Sequence, residues 1–366
     1  MKNKYLILIL AALLIAFLPS CNKTNGIKTL IITGQNEHIW MVSSDAVKNI
    51  LDETGLFSTK LLITPPAGED ISGFSPNFSK YKLVVVDYAG DTWPQKTTDD
   101  LMDFVNAGGG LVLYNSKIDP FIQLPDSIRV AKRNTFEVRN QVTSHPVING
   151  LPVRWVQPND VIVRGLKLAG EDVQVLASAG EAGPRGPRSQ VSVLAAREVG
   201  EGRIFATMLG TPDGEENQAL HSAGFIVTLQ RGAEWAATGS VTQEIPTDFP
   251  TAAGAVLRPD FKAIDFTTAF ENLGSYDITS STKYFTWLQS QIRKASGNAD
   301  ALLTLEKKMV EVLKSSTATV DAKKLILKEL SWMGTEYCLP AVKELSSVEE
   351  LKDQVDFTLE RLEGLN

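Results

Sequence analysis

Leu83-Val84-Val85-Val86-Asp87-Tyr88 runs four aliphatic residues without a break into a carboxylate and a phenol. A strand with one face in water alternates apolar and polar residues, whereas an unbroken run is buried on both faces, as in a parallel sheet covered by helices. Leu30-Ile31-Ile32, Leu61-Leu62-Ile63 and Leu111-Val112-Leu113 have the same character. Between the first two of these, Val42, Ala46, Val47, Ile50 and Leu51 fall on one helical face. Thr97 is placed to cap a second helix whose Leu101, Phe104 and Val105 face inward, and Gly108-Gly109-Gly110 ends it and turns the chain into Leu111. This order of strand, helix, strand, helix and strand predicts an α/β fold with a doubly wound, mostly parallel sheet.

Further strands are expected around Val161 to Leu168, Val173 to Ala179, Val191 to Ala196 and Arg203 to Met208. A closing helix carries Phe225, Leu229, Ala233 and Ala236 on one stripe and stops at Gly239. The α/β domain is therefore expected to span residues 28–245. Pro246, Pro250 and Pro259 then interrupt a stretch of little periodicity, read as a connector over 246–283. Residues 284–366 turn helical, with stripes at Leu302, Leu305, Met309, Val312 and at Ala322, Ile326, Leu330, Met333. Pro340 opens a further helix and Ser347-Val348-Glu349-Glu350 reads as a capping box before Leu351 and Val355. Short breaks between amphipathic helices predict a small all-α helical-repeat domain.

At the other end, Lys2 and Lys4 precede the almost unbroken apolar run Tyr5 to Phe17, and Leu18-Pro19-Ser20 leads to Cys21. The run is short for a membrane span and reads as a signal peptide over 1–20. Residues 21–27 are then a tether. Removing Lys2 and Lys4 moves the formal charge from -7 to -9. An acidic chain without a basic cluster excludes nucleic acid as a partner. The cysteines are Cys21 and Cys338. If Cys21 is modified, no internal disulfide can form, and stability must come from core packing. At 43% hydrophobic residues, 366 residues suffice for two cores.

The motifs come in a specific order. Thr33-Gly34-Gln35-Asn36-Glu37-His38-Ile39-Trp40 follows the first strand, Phe78-Ser79-Lys80-Tyr81 leads into the strand ending Asp87-Tyr88, and Trp93-Pro94 follows. His145-Pro146 with Gly150-Leu151-Pro152, then Gly200-Glu201-Gly202-Arg203-Ile204-Phe205, and finally Arg231-Gly232-Ala233-Glu234-Trp235 complete the set. In that order these segments resemble the ThuA-like, or trehalose-utilisation, family over about Lys28 to Phe249. The resemblance implies a flavodoxin- or class I glutamine amidotransferase-like fold and a role in disaccharide catabolism. Leu330-Ser331-Trp332-Met333-Gly334-Thr335 resembles the HEAT-type helical repeats often appended to lipoproteins of this kind. The segment ending at Cys21 resembles a bacterial lipoprotein signal, which implies lipidation of Cys21 and a place in the cell envelope. Several acyl chains, at about 0.8 kcal/mol per buried methylene, make such attachment durable.

Amidotransferase chemistry needs a thiolate on a tight strand-to-helix turn. The turn here offers Asn115-Ser116-Lys117, so thiol catalysis is excluded. The family pattern usually has a histidine where Asn115 stands and another where Thr211 stands, and an acidic pair near Asp160. Asparagine and threonine bind hydroxyls but move no proton near neutral pH. His38 is the acid–base candidate, with Asp87 as its partner. Trp40, Tyr88, Trp93, Asn115, Ser116, His145, Asp160, Thr211 and His221 are candidate substrate contacts. Rings beside carboxylates and amides suit a carbohydrate, the ring covering the sugar's apolar face. Three isolated histidines without paired spacing give no metal site, and no cofactor is assigned. Two functional readings stand. One is a lipid-anchored protein that handles a disaccharide or keto-sugar, its helical tail free to recruit a protein partner. The other is a non-catalytic binding or interaction module whose crevice has lost its proton-transfer groups. Gly183 to Arg188 reads as a basic surface turn.

Overall fold

The computed structural model describes residues 26–364 apart from 124–128, 181, 184–185, 188–189, 264–265 and 280–281. The signal segment, Cys21 and the arginines of the 183–188 turn lie outside the described residues. Among those described, no helix is long and apolar enough to cross a membrane.

The parallel half of the sheet uses β1 (Ile27–Thr33), β2 (Phe57–Ile63), β3 (Leu83–Val86) and β4 (Gly110–Tyr114). Helix α1 (Trp40–Glu53) joins the first two strands, and α2 (Gln95–Asn106) joins the next two. Pairing places β1 between β2 and β3, with β4 beyond β3, all parallel. After β4 the chain adds β5 (Asn134–Asn140), β6 (Arg154–Asp160), β7 (Gln174–Ala179), β8 (Val191–Val199) and β9 (Gly202–Thr207). Strand β9 returns to lie parallel to β4. Beyond it, β8, β7, β5 and β6 extend the sheet antiparallel. The nine strands run in the order β2-β1-β3-β4-β9-β8-β7-β5-β6. The sheet is thus mixed, parallel at one half and antiparallel at the other, where the sequence reading expected it mostly parallel.

Both faces of the parallel half are covered, as the unbroken apolar runs require. Leu30, Ile32, Val84, Val86, Leu111 and Leu113 pack with Leu101 and Val105 of α2 on one side. Ile31, Val85, Val112 and Tyr114 pack on the other side with Val47 and Ile50 of α1. They also meet Phe225 and Leu229 of α3 (Ala223–Thr238) there. Gly239 ends α3 in a left-handed conformation, as read from the sequence.

The antiparallel half departs most from expectation. Val161 to Leu168 forms only two-residue ribbons, Val163–Arg164 against Arg129–Val130 and Lys167–Leu168 against Ile122–Gln123. Strands β5 and β6 take the place expected for it. Strand β5 alternates exposed and buried residues, so it carries no unbroken apolar run. Strand β6 contains Pro158, which an edge strand tolerates because one side of its backbone needs no partner. Thr97 lies inside the first turn of α2, which begins after Pro94, and its hydroxyl donates to the Phe74 carbonyl.

The tail builds a separate core from α4 (Phe266–Gly274), α5 (Lys283–Lys294), α6 (Ala299–Lys314), α7 (Val320–Met333) and α8 (Lys352–Glu363). Asn298 and Thr319 cap α6 and α7 by accepting from backbone N–H groups. Helix α8 starts after a short 3-10 turn, so the capping box expected at Ser347 is not formed. The expected connector also differs from the reading. Helix α4 lies within it, and Phe249, Val256 and Arg258 are buried.

Candidate functional site

Two crossovers leave neighbouring strands in opposite directions. From β1 the chain goes to β2 on one side, and from β3 it goes to β4 on the other. The loops that follow β1 and β3 therefore part at their carboxyl ends, where open α/β sheets hold ligands. The loop after β1 carries Asn36, Glu37 and His38, and the residue after β3 is Asp87.

Asp87 is fully buried and pinned through its own N–H, which donates to the Ile32 carbonyl at 2.9 Å. Its Oδ1 accepts from Asn36 Nδ2 at 2.9 Å and lies 3.0 Å from His38 Nε2. Its Oδ2 accepts from Ser43 Oγ at 2.6 Å. Because the Ser43 proton is given to Asp87, the serine oxygen 3.0 Å from His38 Nε2 is also an acceptor. Two acceptors at Nε2 place the imidazole proton on that nitrogen and leave Nδ1 with the free lone pair. The His38 ring also meets the edge of Tyr114, with centroids 5.9 Å apart. Burial, then the Asp87 and Asp160 carboxylates, push the Tyr114 phenol well above its ordinary value. It therefore stays neutral and donates to the Gly210 carbonyl at 2.5 Å.

Asn115 occupies the turn after β4 with a φ of 44°, a left-handed conformation that asparagine tolerates better than most residues. Its amide reaches the Leu209 carbonyl at 3.3 Å and Thr211 Oγ1 at 3.4 Å, while Asn36 Nδ2 approaches its carbonyl at 3.5 Å. Asp160, at the end of β6, is fully buried and accepts four N–H groups. They come from Val161 at 2.8 Å, Gly210 at 2.7 Å, Thr211 at 3.2 Å and Gln157 Nε2 at 2.9 Å. Burial pushes this carboxyl up, and the four donors oppose it. Asp160 clamps the loop after β9 and has no capacity left for a ligand.

Together these loops enclose a cavity of about 450 Å³, whose lining includes Asn36, His38, Asn115 and Thr211. That volume is in the range of small-molecule sites. Three charged contributors escaped the sequence reading: Lys117, Arg133 and Asp213. Lys117 pairs with Glu37 at the cavity wall. Arg133 Nη1 donates to the Asn159 carbonyl at 2.7 Å and the Thr211 carbonyl at 3.0 Å, and Nη2 to the Pro212 carbonyl at 3.0 Å. Asn36 and Glu37 stand in the quoted motif beside His38 and were legible as loop polar groups. Arg133 follows no strand end in the sequence reading and gave no signal. Ser43 sits within the first helical stripe, where a hydroxyl reads as neutral filler.

Several expected contacts lie elsewhere. Trp93 is buried among Phe74 and Tyr88, with ring centroids at 5.1 and 5.4 Å. Tyr88 is buried too, donating to the Asp91 carbonyl at 2.7 Å, and burial raises its phenol to about 12. Both rings serve the core, because the loop after β3 folds back over the sheet rather than toward the crevice. Ser116 is fully buried and its hydroxyl donates to the Tyr88 carbonyl at 2.9 Å. Trp40 opens α1 and does not line the cavity. Strand β5 runs opposite to β1, so His145 beyond it sits at the far edge of the sheet, edge-on to Trp235. His221 stacks on Phe261 at 5.0 Å and reaches the Arg258 carbonyl at 3.2 Å, also outside the cavity lining. The ring wall expected for a sugar is therefore absent among the described residues, and aliphatic side chains stand in its place. Among the described residues no group of three or more His, Cys, Asp or Glu side chains is arranged to hold a metal ion.

A mixed sheet whose parallel half is covered on both faces, with loops meeting in a crevice at the strand ends, defines an α/β protein. The family model for ThuA, trehalose utilisation, matches residues 28–236, and the chain belongs to that family. A ThuA-like protein from Parabacteroides merdae ATCC 43184 is 34% identical, with a TM-score of 0.59 over 65% of this chain and all of its own. A ThuA-like protein from Bacteroides uniformis ATCC 8492 is 15% identical, with a TM-score of 0.42 over 67% of this chain and all of its own. No match was found among curated proteins. Family membership implies a function related to carbohydrate utilisation.

Proposed function

We propose that the cavity receives a disaccharide or its keto form and that His38 moves a proton on it. The observation that carries this reading is the pair of oxygens, on Asp87 and Ser43, each 3.0 Å from His38 Nε2. A buried carboxylate and a hydroxyl hold the proton on Nε2, so Nδ1 is available as a base without any rearrangement. Asp87 orients the ring and stabilises the imidazolium formed when Nδ1 takes the proton. Asn36, Asn115 and Thr211 line the same cavity and offer amide and hydroxyl groups to sugar hydroxyls.

The purified chain, titrated by calorimetry and assayed for turnover with disaccharides and their keto forms, tests it. His38→Gln keeps an amide near the ring position and is expected to retain binding while losing turnover by about 10²–10⁴-fold. Equal turnover in that variant would reject the base assignment, and no heat with any sugar would reject the site. Asn115 and Thr211 stand where relatives place proton-carrying groups, which favours a second reading as a sugar-binding module. Binding without turnover in the unaltered chain selects it.

We further propose that Cys21 carries lipid and holds the protein at the cell envelope, with the helical body as a HEAT-like platform for a partner. Labelled fatty acid should then enter the protein and be lost in Cys21→Ser. Equal labelling of the variant would refute the anchor.

A further inference from the structure

The rings that the strand-end cavity lacks stand at the opposite edge of the sheet. Tyr81 and Lys82 lead into β3, and Gly108 and Gly109 lead into β4, so these residues gather at the amino ends of the strands. They line a groove of about 610 Å³ together with Asn77, Phe78, Asp103 and Phe104. Two of the motif segments, Phe78 to Tyr81 and the start of the triple glycine, thus meet here and not at the cavity that holds His38. Phe104 of α2 lies over Gly109, where a β-carbon would come within 2.4 Å of its ring. That ring also meets Phe78, with centroids 6.1 Å apart, yet Phe104 and Tyr81 both remain half-buried. Lys82 Nζ holds the turn by donating to the Gly108 carbonyl at 2.9 Å. The polar groups of the lining have spare capacity. The Tyr81 hydroxyl and the Asp103 carboxylate take no partner among the described residues. Asn77 Oδ1 accepts from Ser79 Oγ at 2.7 Å, which leaves its Nδ2 free to donate.

We propose that this groove is a second carbohydrate site, independent of the strand-end cavity. Half-buried rings suit the apolar face of a pyranose, and a phenol, an amide and a carboxylate in the same lining suit its hydroxyls. A peptide would find less here, because β3 and β4 are interior strands and offer no free edge for backbone pairing.

The test titrates the isotopically labelled full chain with maltose, cellobiose and trehalose while its backbone amides are followed by NMR. Amides of Asn77, Gly108 and Gly109 report the groove, and those of Asn115 and Thr211 report the cavity. At least one sugar is expected to shift the groove amides to saturation. Asp103→Ala should weaken that response at least about threefold, and Asp103→Ala with Phe104→Leu at least about tenfold, through loss of a charged hydrogen bond and of a stacked ring. Amides away from the groove show that each variant is folded. Should the double variant not fold, Asp103→Ala decides alone, since its side chain is exposed. Groove amides unmoved by all three sugars, or moved at the same concentrations in Asp103→Ala, would overturn the second site whatever the cavity does. Groove shifts with Asn115 and Thr211 unmoved would support it and count against the carbohydrate reading of the cavity.

Discussion

His145, expected as a substrate contact, lies outside the cavity lining and still has a measurable consequence. It packs edge-on to Trp235 at 4.7 Å and accepts from the Val147 N–H at 3.3 Å, beside the loop that Arg231 holds through the Pro146 and Val147 carbonyls. Burial lowers its pKa from 6.5 to about 4. The folded chain therefore keeps the ring neutral where the unfolded chain takes up a proton. Between about 6.5 and 4 the unfolded state binds more protons, so stability is full above this window and falls as the pH drops through it. His221 is lowered too, also by burial, and adds in the same direction. Urea unfolding of His145→Asn should show a shallower pH slope across the window, by up to about 1.4 kcal/mol per pH unit. An unchanged slope would mean that the ring is protonated in the folded chain. At this scale the sequence was legible where the backbone alone decides a position. His38 and Asp87 both follow strand ends, and the switch in strand order brings them together. Trp93 and Tyr88 also follow a strand end, but which way a loop folds depends on what it packs against. Phe74 and Phe78, distant in sequence reasoning, supply that packing.

Strands show a similar division. The runs at β1, β3 and β4 are apolar on every residue because helices cover both faces, and such runs announce themselves. Strand β5 presents alternating exposed and buried residues, and β6 is an edge with a proline, so neither rises above a loop in apolar content. Helix α3 carries the reverse lesson. Its apolar stripe was plain, yet nearly all of its residues are buried, including Arg231 and Glu234. Gly224 and Gly232 explain how it lies so close. A β-carbon would come within 2.2 Å of the Trp155 ring at the first and 2.3 Å of the Phe205 ring at the second. The helix accepts the propensity cost of two glycines, about 1 kcal/mol each, in exchange for that approach. Its buried charges are then satisfied by neighbours that follow in the chain. Glu234 accepts from the Thr242 N–H at 2.8 Å and from Gln243 Nε2 at 3.0 Å, and Arg231 donates to the Gln243 carbonyl at 2.7 Å. These contacts start to fold the expected connector onto the α/β body.

Across the whole molecule that docked segment joins the two cores. Ala223 at the head of α3 donates to the Val256 carbonyl, and Arg258 donates to the His221 carbonyl at 2.7 Å. From the helical body, Lys294 donates to the Thr247 carbonyl at 2.6 Å and Gln291 reaches it at 3.2 Å. Burial lowers the Lys294 ammonium to about 8, Asp248 opposing and Arg258 assisting. Between these contacts, Arg258 Nε donates to Asp248 Oδ2 at 2.7 Å, with the guanidinium 2% exposed and the carboxylate fully buried. Prolines and weak periodicity concealed this from the sequence, because a segment that docks through a few anchors needs no repeating pattern. Taking both charges out of water is costly, so the pair fixes how the segment lies more than it adds net stability. Removing one partner has a different effect. Asp248→Ala leaves the buried Arg258 guanidinium without its carboxylate and should cost about 3–5 kcal/mol, read as a fall in the urea midpoint. Replacing both residues, Asp248→Leu with Arg258→Met, should recover part of that loss, since the guanidinium is no longer left unpaired while Lys294 still loses its attraction to Asp248. A loss below about 1 kcal/mol in the single variant would be the value of a solvent-exposed pair, and the docked segment would then have to be open in solution.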